Sequence, residues 1–119
     1  MRYKRLGLLG GTFNPVHRGH IDLGARVRDA FGLDEIYYIL SARPPHKKDP
    51  NVVPMDLRWK MLSQALEPYP FLVPCDIEMK MPHDSWTIIT VNALQEQHPD
   101  YRFYFVSGSE GFLKIKTWK

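Results

Sequence analysis

Short runs of consecutive apolar residues alternate along the chain with longer segments in which apolar residues recur every three or four positions. The short runs are bounded by turn-forming residues or rich in β-branched and aromatic residues, which predicts β-strands. The predicted strands are residues 6–9, 35–40, 71–75 and 102–106. The periodic segments predict helices over residues 18–31, 55–66 and 86–97. We therefore expect the order β-α-β-α-β-α-β.

Helix ends and buried faces can also be predicted from the residues. Gly32 is placed to end the first helix, and Ser85 is placed to cap the third. Four apolar residues of the second helix are predicted to share one face: Leu57, Met61, Leu62 and Ala65. Cys75 is expected to be a small core residue, and other large residues are interpreted as core or packing residues: Trp59, Phe103, Tyr104 and Phe105.

Continuously apolar strands that alternate with helices are typical of a parallel sheet covered by helices on both faces. We therefore predict a doubly wound α/β domain over residues 1–119, with the first strand in the interior of the sheet. In such sheets, ligands bind beyond the carboxyl ends of the strands. Three polar loops follow predicted strands and should meet at that edge: residues 10–20, 41–48 and 107–110.

Composition narrows the classes of function only modestly. The formal net charge of +3 suits an anionic ligand such as a nucleotide, and it is too small to predict nucleic-acid binding. The single cysteine allows no intrachain disulfide, which fits a reducing cytoplasm. The basic start of the chain lacks the apolar core of a signal peptide, and no apolar run is long enough to span a membrane. We expect a cytoplasmic protein without nucleic-acid or membrane partners.

The loop after the first strand carries the clearest candidate chemistry, and residues 10–20 read GGTFNPVHRGH. Glycines let the backbone approach a ligand closely, and Pro15 restricts one backbone angle. His17 and His20 are three residues apart, so they face one side if a helix begins near them. The free N–H groups of a helix start attract phosphate, and two imidazoles add donors. This loop predicts a phosphate site that needs no lysine.

Other phosphate and metal motifs do not fit the spacing. The glycines at positions 7, 10, 11 and 19 do not form the dinucleotide fingerprint G-x-G-x-x-G, and no G-K-[ST] sequence indicates a P-loop. The two histidines could bind zinc, but no third ligand is evident near them, so no metal ligands are assigned.

The same loop resembles the G-x-F-x-P-x-H-x-G-H signature of the adenylyl- and cytidylyltransferases. The matching residues are Gly11, Phe13, Pro15, His17, Gly19 and His20. The rest of the chain is similar to bacterial nicotinate-mononucleotide adenylyltransferases in the segments PPHK at 44–47, SWT at 85–87 and GSE at 108–110, and at Trp118. Tryptophan replaces the family's tyrosine in the second segment, and glutamate replaces its aspartate in the third.

This resemblance implies a Rossmann-like nucleotidyltransferase fold with about four strands present. It also implies that the family's C-terminal elements, including a Ser/Thr-rich phosphate motif that ends in arginine, are missing. The implied activity is transfer of AMP from ATP to nicotinate mononucleotide, which yields deamido-NAD and pyrophosphate, with Mg²⁺ accompanying ATP. A sister enzyme such as pantetheine-phosphate adenylyltransferase, or a non-catalytic nucleotide-binding or assembly fragment, remains an alternative. Homo-oligomer formation is also left open.

The resemblance also implies roles for individual residues. His17 and His20 would be catalytic by contacting the ATP phosphates. The implied ATP-binding set is Gly11, Thr12, Phe13, His17, Gly19, His20, Gly108 and Glu110, and the implied set for the second substrate is Thr12, Phe13, Lys47, Thr87 and Trp118. Read without the resemblance, Lys47 is a solvated loop residue, Thr87 belongs to a helix cap and Trp118 is an ordinary hydrophobic residue. Those readings also stay open.

Overall fold

The computed structural model describes residues 3–11, 13, 15–41, 53–80 and 87–106, with only the backbone described for 87–89. The strands are β1 (Lys4–Gly11), β2 (Glu35–Leu40), β3 (Leu72–Cys75) and β4 (Tyr101–Val106), and the helices are α1 (Arg18–Phe31), α2 (Met55–Leu66) and α3 (Thr87–Gln97). Every predicted strand and helix is present, and the limits of α1, β2 and α2 agree with the prediction residue for residue. A short 3₁₀ helix, Ile77–Lys80, was not predicted.

The four strands form one parallel sheet in the order β3-β2-β1-β4. The prediction of a parallel sheet with the first strand inside it is therefore confirmed. The chain adds β2 and β3 on one side of β1 and then returns to add β4 on the other side. Because crossovers between parallel strands are right-handed, this reversal places α1 and α2 on one face and α3 on the other.

Two hydrophobic clusters fill the space on the two faces of the sheet. The first contains Leu9, Ile36, Tyr38 and Leu40 from the strands, against which α1 and α2 pack. The second contains Leu8, Ile39, Ile77 and Leu94, with Cys75 and Phe103 packed against it. Adjacent strand residues such as Leu8 and Leu9 belong to different clusters because side chains alternate along a strand. The strands are therefore buried on both faces, as their continuous apolar sequences predict.

The buried face of α2 differs from the predicted one. Leu57 and Met61 are 51% and 40% exposed, so the prediction was wrong for these two residues, and Ala65 is only partly buried. The residues that face the core are Arg58, Leu62 and Leu66, which follow one another at intervals of four. Arg58 takes a position on this stripe because its guanidinium binds backbone carbonyl groups inside the protein. Apolar spacing alone could not anticipate that choice.

The remaining positional predictions have mixed outcomes. Gly32 ends α1 in the left-handed conformation, with φ 62°, as predicted. Phe103 packs against the second cluster, but Tyr104 and Phe105 are 39% and 42% exposed and do not lie in the core. Ser85 lies outside the described residues. Among the helices of the described part, none is long and apolar enough to cross a membrane.

Candidate active site

The candidate site lies where the direction of strand addition reverses. β1 pairs with β2 and with β4, and its last residues lie beside the ends of both neighbours, with Gly11 opposite Leu40 and Leu9 opposite Val106. The N–H of Ser41 donates to the carbonyl oxygen of Gly11 at 2.8 Å. The loops after β1, β2 and β4 therefore start at one edge of the sheet, which is the ligand-binding position of this architecture.

His17 and His20 cap the start of α1 reciprocally. His17 is the N-cap residue, and its Nδ1 accepts the N–H of Gly19 at 3.1 Å. The N–H of His17 donates to Nδ1 of His20 at 3.0 Å. Serine or threonine with glutamate usually forms this arrangement, the capping box, and here two imidazoles replace them. The exchange of hydrogen bonds holds the two rings with their centroids 3.8 Å apart and their planes tilted by 34°.

These hydrogen bonds also determine which ring nitrogen carries the proton. Nδ1 of each histidine accepts a backbone N–H, so a neutral imidazole at either position must carry its hydrogen on Nε2. Each ring is then oriented by its Nδ1, and its Nε2–H is the group with which it can donate to a ligand. The pair can therefore offer two adjacent, pre-oriented donors at the N-terminus of α1, where the helix dipole favours an anion.

The electrostatics of the site favour neutral histidine at position 20. Partial burial lowers the pKa of His20 below its ordinary value of 6.5, and the neighbouring His17 lowers it further. Protonation at Nδ1 would also end the hydrogen bond that this atom accepts from the backbone of His17. Near neutral pH, His20 therefore acts as an uncharged donor.

We expect the free energy of unfolding to fall as the pH is lowered through the pKa of His20. Well above pH 6.5 neither the folded nor the unfolded state is protonated at this residue, and as the pH falls through 6.5 the unfolded state binds the proton first. The comparison is His20→Gln, because glutamine can still cap the backbone of residue 17 but does not titrate. Denaturant unfolding from pH 8 to pH 5 should show a smaller acid loss for H20Q than for the wild type. Equal acid losses would contradict the prediction.

Gly19 gives the His17 ring the space that it occupies. A Cβ at position 19 would lie 2.9 Å from Cε1 and 3.1 Å from Nδ1 of His17, closer than side chains normally approach. Any larger residue would push the imidazole away from the helix start. The glycine of the signature is therefore explained by contact with the first histidine.

The ring of Phe13 packs against the imidazole of His20. The Phe13 side chain is 3% exposed, and its ring lies edge-on to His20 with the centroids 5.0 Å apart. Its backbone has φ 49°, a left-handed conformation that costs a non-glycine residue about 1–2 kcal/mol. The buried ring holds the backbone in this turn beside the candidate phosphate site. Spacing and periodicity gave no signal for this packing role, and only the resemblance singled out Phe13.

Arg58 is a structurally important residue that the sequence analysis missed. It is 2% exposed, and its guanidinium donates to the carbonyl oxygens of Val53 and Ser41, each at 2.8 Å. Burial lowers the pKa of Arg58, but arginine stays charged in proteins. The two carbonyl groups flank residues 42–52, the segment that carries Lys47. The detectable signal was an arginine four residues before Leu62, on the apolar stripe of α2.

Several proposed ligand contacts fall on residues whose side chains are not described. Thr87 is the first residue of α3, and only its backbone is described. α3 is anchored one turn later by a 2.8 Å hydrogen bond from the buried Thr90 hydroxyl to the Glu78 carboxylate. The other such residues lie outside the described part of the chain: Thr12, Lys47, Gly108, Glu110 and Trp118. Within the described ranges, no cluster of three or more potential metal ligands occurs.

Comparison with known proteins assigns the chain to a family. The model of the cytidylyltransferase-like family matches residues 8–119, which include the histidine cap and the whole sheet beyond its first residues. The chain belongs to the cytidylyltransferase-like family. The candidate site of this chain lies at the switch point of its sheet, the usual ligand position in doubly wound folds.

The curated relatives of this cytidylyltransferase-like chain have names that are more specific than the family description. It is 40% identical over 114 residues to a probable nicotinate-nucleotide adenylyltransferase of Geobacter sulfurreducens, covering 96% of this chain and 53% of that protein. It is 38% identical to the Geobacter metallireducens counterpart over the same shares. The chain thus spans about half the length of the curated relatives it matches.

The fold of the cytidylyltransferase-like chain is also found in solved structures. The nicotinic acid mononucleotide adenylyltransferase of Plasmodium falciparum, complexed with NaAD, superimposes with a TM-score of 0.83. The identity is 20%, and the match covers 98% of this chain and 58% of that one. At this identity the likeness establishes the fold alone.

Proposed function

We propose that the chain acts as a nicotinate-nucleotide adenylyltransferase of NAD biosynthesis, which transfers AMP from ATP to nicotinate mononucleotide and releases pyrophosphate. The observation that carries the proposal is the reciprocal cap of His17 and His20 at the switch point of the sheet. It offers two oriented Nε2–H donors at a helix N-terminus, which suits a polyphosphate. The names of the Geobacter relatives support nicotinate mononucleotide as the acceptor of AMP.

The proposed reaction requires little from the protein beyond positioning and charge stabilisation. A phosphate oxygen of nicotinate mononucleotide attacks the α-phosphorus of ATP, and the bond from that phosphorus to the oxygen bridging to the β-phosphate breaks. Pyrophosphate leaves with the electron pair, and the products are deamido-NAD and pyrophosphate. Because the attacking oxygen is already anionic, no strong base is needed. His17 and His20 would stabilise the charge that develops on the phosphate oxygens.

The other proposed roles follow from the family resemblance. The backbone of Thr12 and Phe13 would bind the reacting phosphates, and Lys47 would face phosphate as well. Gly108 and Glu110 would lie beside the ATP ribose. Thr87 and Trp118 would hold the nicotinate ring, with Thr87 at the start of α3.

Mg²⁺ would reach this site as part of the ATP substrate. The described residues include no cluster of three metal ligands, and the donors at the site are imidazoles and backbone N–H groups. This donor set suits phosphate oxygens better than Mg²⁺, which prefers oxygen ligands and keeps several waters. We therefore assign no residue to the metal. A cytoplasmic location and the state of oligomerisation remain predictions.

One assay distinguishes the proposed function from the two alternatives by the substrate that supports release of pyrophosphate. The assay uses an extended chain, in which residues 1–119 are joined to the part of the Geobacter sulfurreducens relative that follows the matched region. Release of pyrophosphate from ATP is measured with nicotinate mononucleotide and, separately, with pantetheine phosphate. Turnover with the first substrate supports the proposal. Turnover with only the second would indicate the sister enzyme, and turnover with neither would indicate a non-catalytic nucleotide-binding role.

We expect the extended chain to prefer nicotinate over nicotinamide mononucleotide. The start of α3 and Thr87 offer hydrogen-bond donors that a carboxylate uses better than a carboxamide, because charge-assisted hydrogen bonds are about twice as strong. The kcat/KM values of the two substrates should be compared in the extended chain and in its Thr87→Ala variant. The variant should lose part of the preference. Equal or reversed kcat/KM values in the unaltered extended chain would refute this assignment.

A further inference from the structure

A buried tyrosine of β2 contacts the helix that carries the two histidines. Tyr38 is fully buried, and its hydroxyl donates to the carbonyl oxygen of His20 at 2.6 Å. Burial raises the pKa of Tyr38 to about 12, so the hydroxyl remains a donor at any physiological pH. One strand side chain is thus bonded directly to the first turn of α1.

The hydroxyl of Tyr38 fits only because residue 24 lacks a side chain. Gly24 is the one residue of α1 that is buried, and a Cβ there would overlap the Tyr38 hydroxyl and lie 2.8 Å from Cζ. The hydroxyl occupies the place that a methyl group at position 24 would take. Glycine in the middle of a helix is less favourable than alanine, so its presence here calls for a packing reason.

A second route connects the same tyrosine to His20. The rings of Tyr38 and Phe13 lie with their centroids 5.8 Å apart, and the Phe13 ring lies edge-on to His20 at 5.0 Å. Tyr38 therefore supports His20 both through the helix backbone and through the buried ring beneath the imidazole. A shift of the tyrosine relative to α1 would change both its hydrogen bond to the His20 carbonyl and its contact with the Phe13 ring.

We propose that Gly24 and Tyr38 are a matched pair of positioning residues that sets how closely the first turn of α1 approaches the sheet. Through that distance the pair determines where the imidazoles of His17 and His20 lie relative to the loop after β1. Neither residue reaches the candidate phosphate site, so both act through the histidines. The effect on turnover rests on the proposed function, whereas the effect on the histidines does not.

The chemistry of the pair suggests a reciprocal exchange. Gly24→Ala adds one heavy atom at the contact, and Tyr38→Phe removes one from the same place. Volume-conserving changes in a packed interior are tolerated best, whereas overpacking forces the backbone to shift. The methyl group of G24A should therefore push α1 from the sheet, and the additional Y38F change should let the helix return, although without the hydrogen bond to His20.

The test is a double-mutant cycle of G24A, Y38F and G24A/Y38F. The control is Gly7→Ala, whose Cβ would lie 2.6 Å from Ile36 Cδ1 in the core and which has no part in the histidine cap. In residues 1–119, the pKa values and chemical shifts of the histidines are followed by NMR together with the melting temperature. In the extended chain, kcat is measured on folded protein.

We expect G24A to lower kcat by about 10- to 100-fold, as displacement on the scale of an ångström can do. It should also shift the NMR signals of His17 and His20. In G24A/Y38F, kcat should return to within about twofold of Y38F alone, because the methyl group meets no hydroxyl there. Independent effects would add and leave the double variant about 10- to 100-fold below Y38F. G7A should lower the melting temperature while the histidine signals and kcat stay unchanged.

Two results would overturn the proposal. One is a double variant no more active, and no closer to the wild type in its histidine signals, than G24A. The other is histidine signals in G24A that match those of G7A. If the extended chain transfers no AMP at all, the proposed function fails, and the histidine signals still decide whether the pair positions the cap.

Discussion

Residues 1–119 alone should transfer AMP at least about 10²-fold more slowly than the extended chain. The chain spans about half the length of its curated relatives. The family resemblance implies a second phosphate motif, on a helix N-terminus opposite His20, in the family's C-terminal part. With hydrogen-bond donors on only one side of the triphosphate, ATP should bind weakly and its phosphates should be misaligned. Misplacement of reacting groups by about an ångström costs on the order of 10²-fold in rate.

The assay compares residues 1–119, the extended chain and the matching 114-residue region of the Geobacter sulfurreducens relative at equal concentrations of folded protein. The relative's region should be as inactive as residues 1–119. Light scattering should detect association of the short chain, because Tyr104 and Phe105 of β4 are exposed and apolar surface promotes contact between copies. Full activity of residues 1–119 as a monodisperse protein would show that our view of the phosphate site is wrong.

His20→Ala in the extended chain should lower kcat by about 10²- to 10³-fold, the usual cost of removing one preorganised donor to developing charge. The hydrogen bond from the His17 N–H holds the imidazole in place, and the pKa of His20 is lowered, so its Nε2–H donates without carrying a charge of its own. Because the donor is oriented before the substrate arrives, no reorganisation is needed during the reaction.

Two further variants separate the loss of the donor from the loss of the cap. His20→Gln keeps a side chain that can accept the N–H of residue 17, so it should retain the helix start while still losing most of the turnover. His98→Ala removes a histidine that stacks on Tyr101 at 4.4 Å, at the opposite end of β4 from the site, and should leave kcat unchanged. Near-normal turnover in H20A would remove His20 from the catalytic set.

The sequence alone determined the order of the elements and the position of the candidate site. Continuous apolar strands that alternate with helical periodicity allow few arrangements other than a covered parallel sheet. Since the ends of parallel strands meet at one edge, the histidines at the start of α1 had to lie beside the ends of β2 and β4. These conclusions depend only on local pattern and on the handedness of crossovers, and both are encoded in short segments of the chain.

Only the tertiary structure decided how the site is built. Nothing in the pattern indicated that the two imidazoles would cap the helix reciprocally, because this depends on ring rotamers and on the space left by Gly19. The buried Arg58 and the fit of Tyr38 against Gly24 were equally hidden. The last two contacts join atoms whose approach is governed by the packing of a helix on the sheet. Periodicity reports which face of an element is apolar, whereas the distance between two packed elements is settled only when all their side chains share the same space.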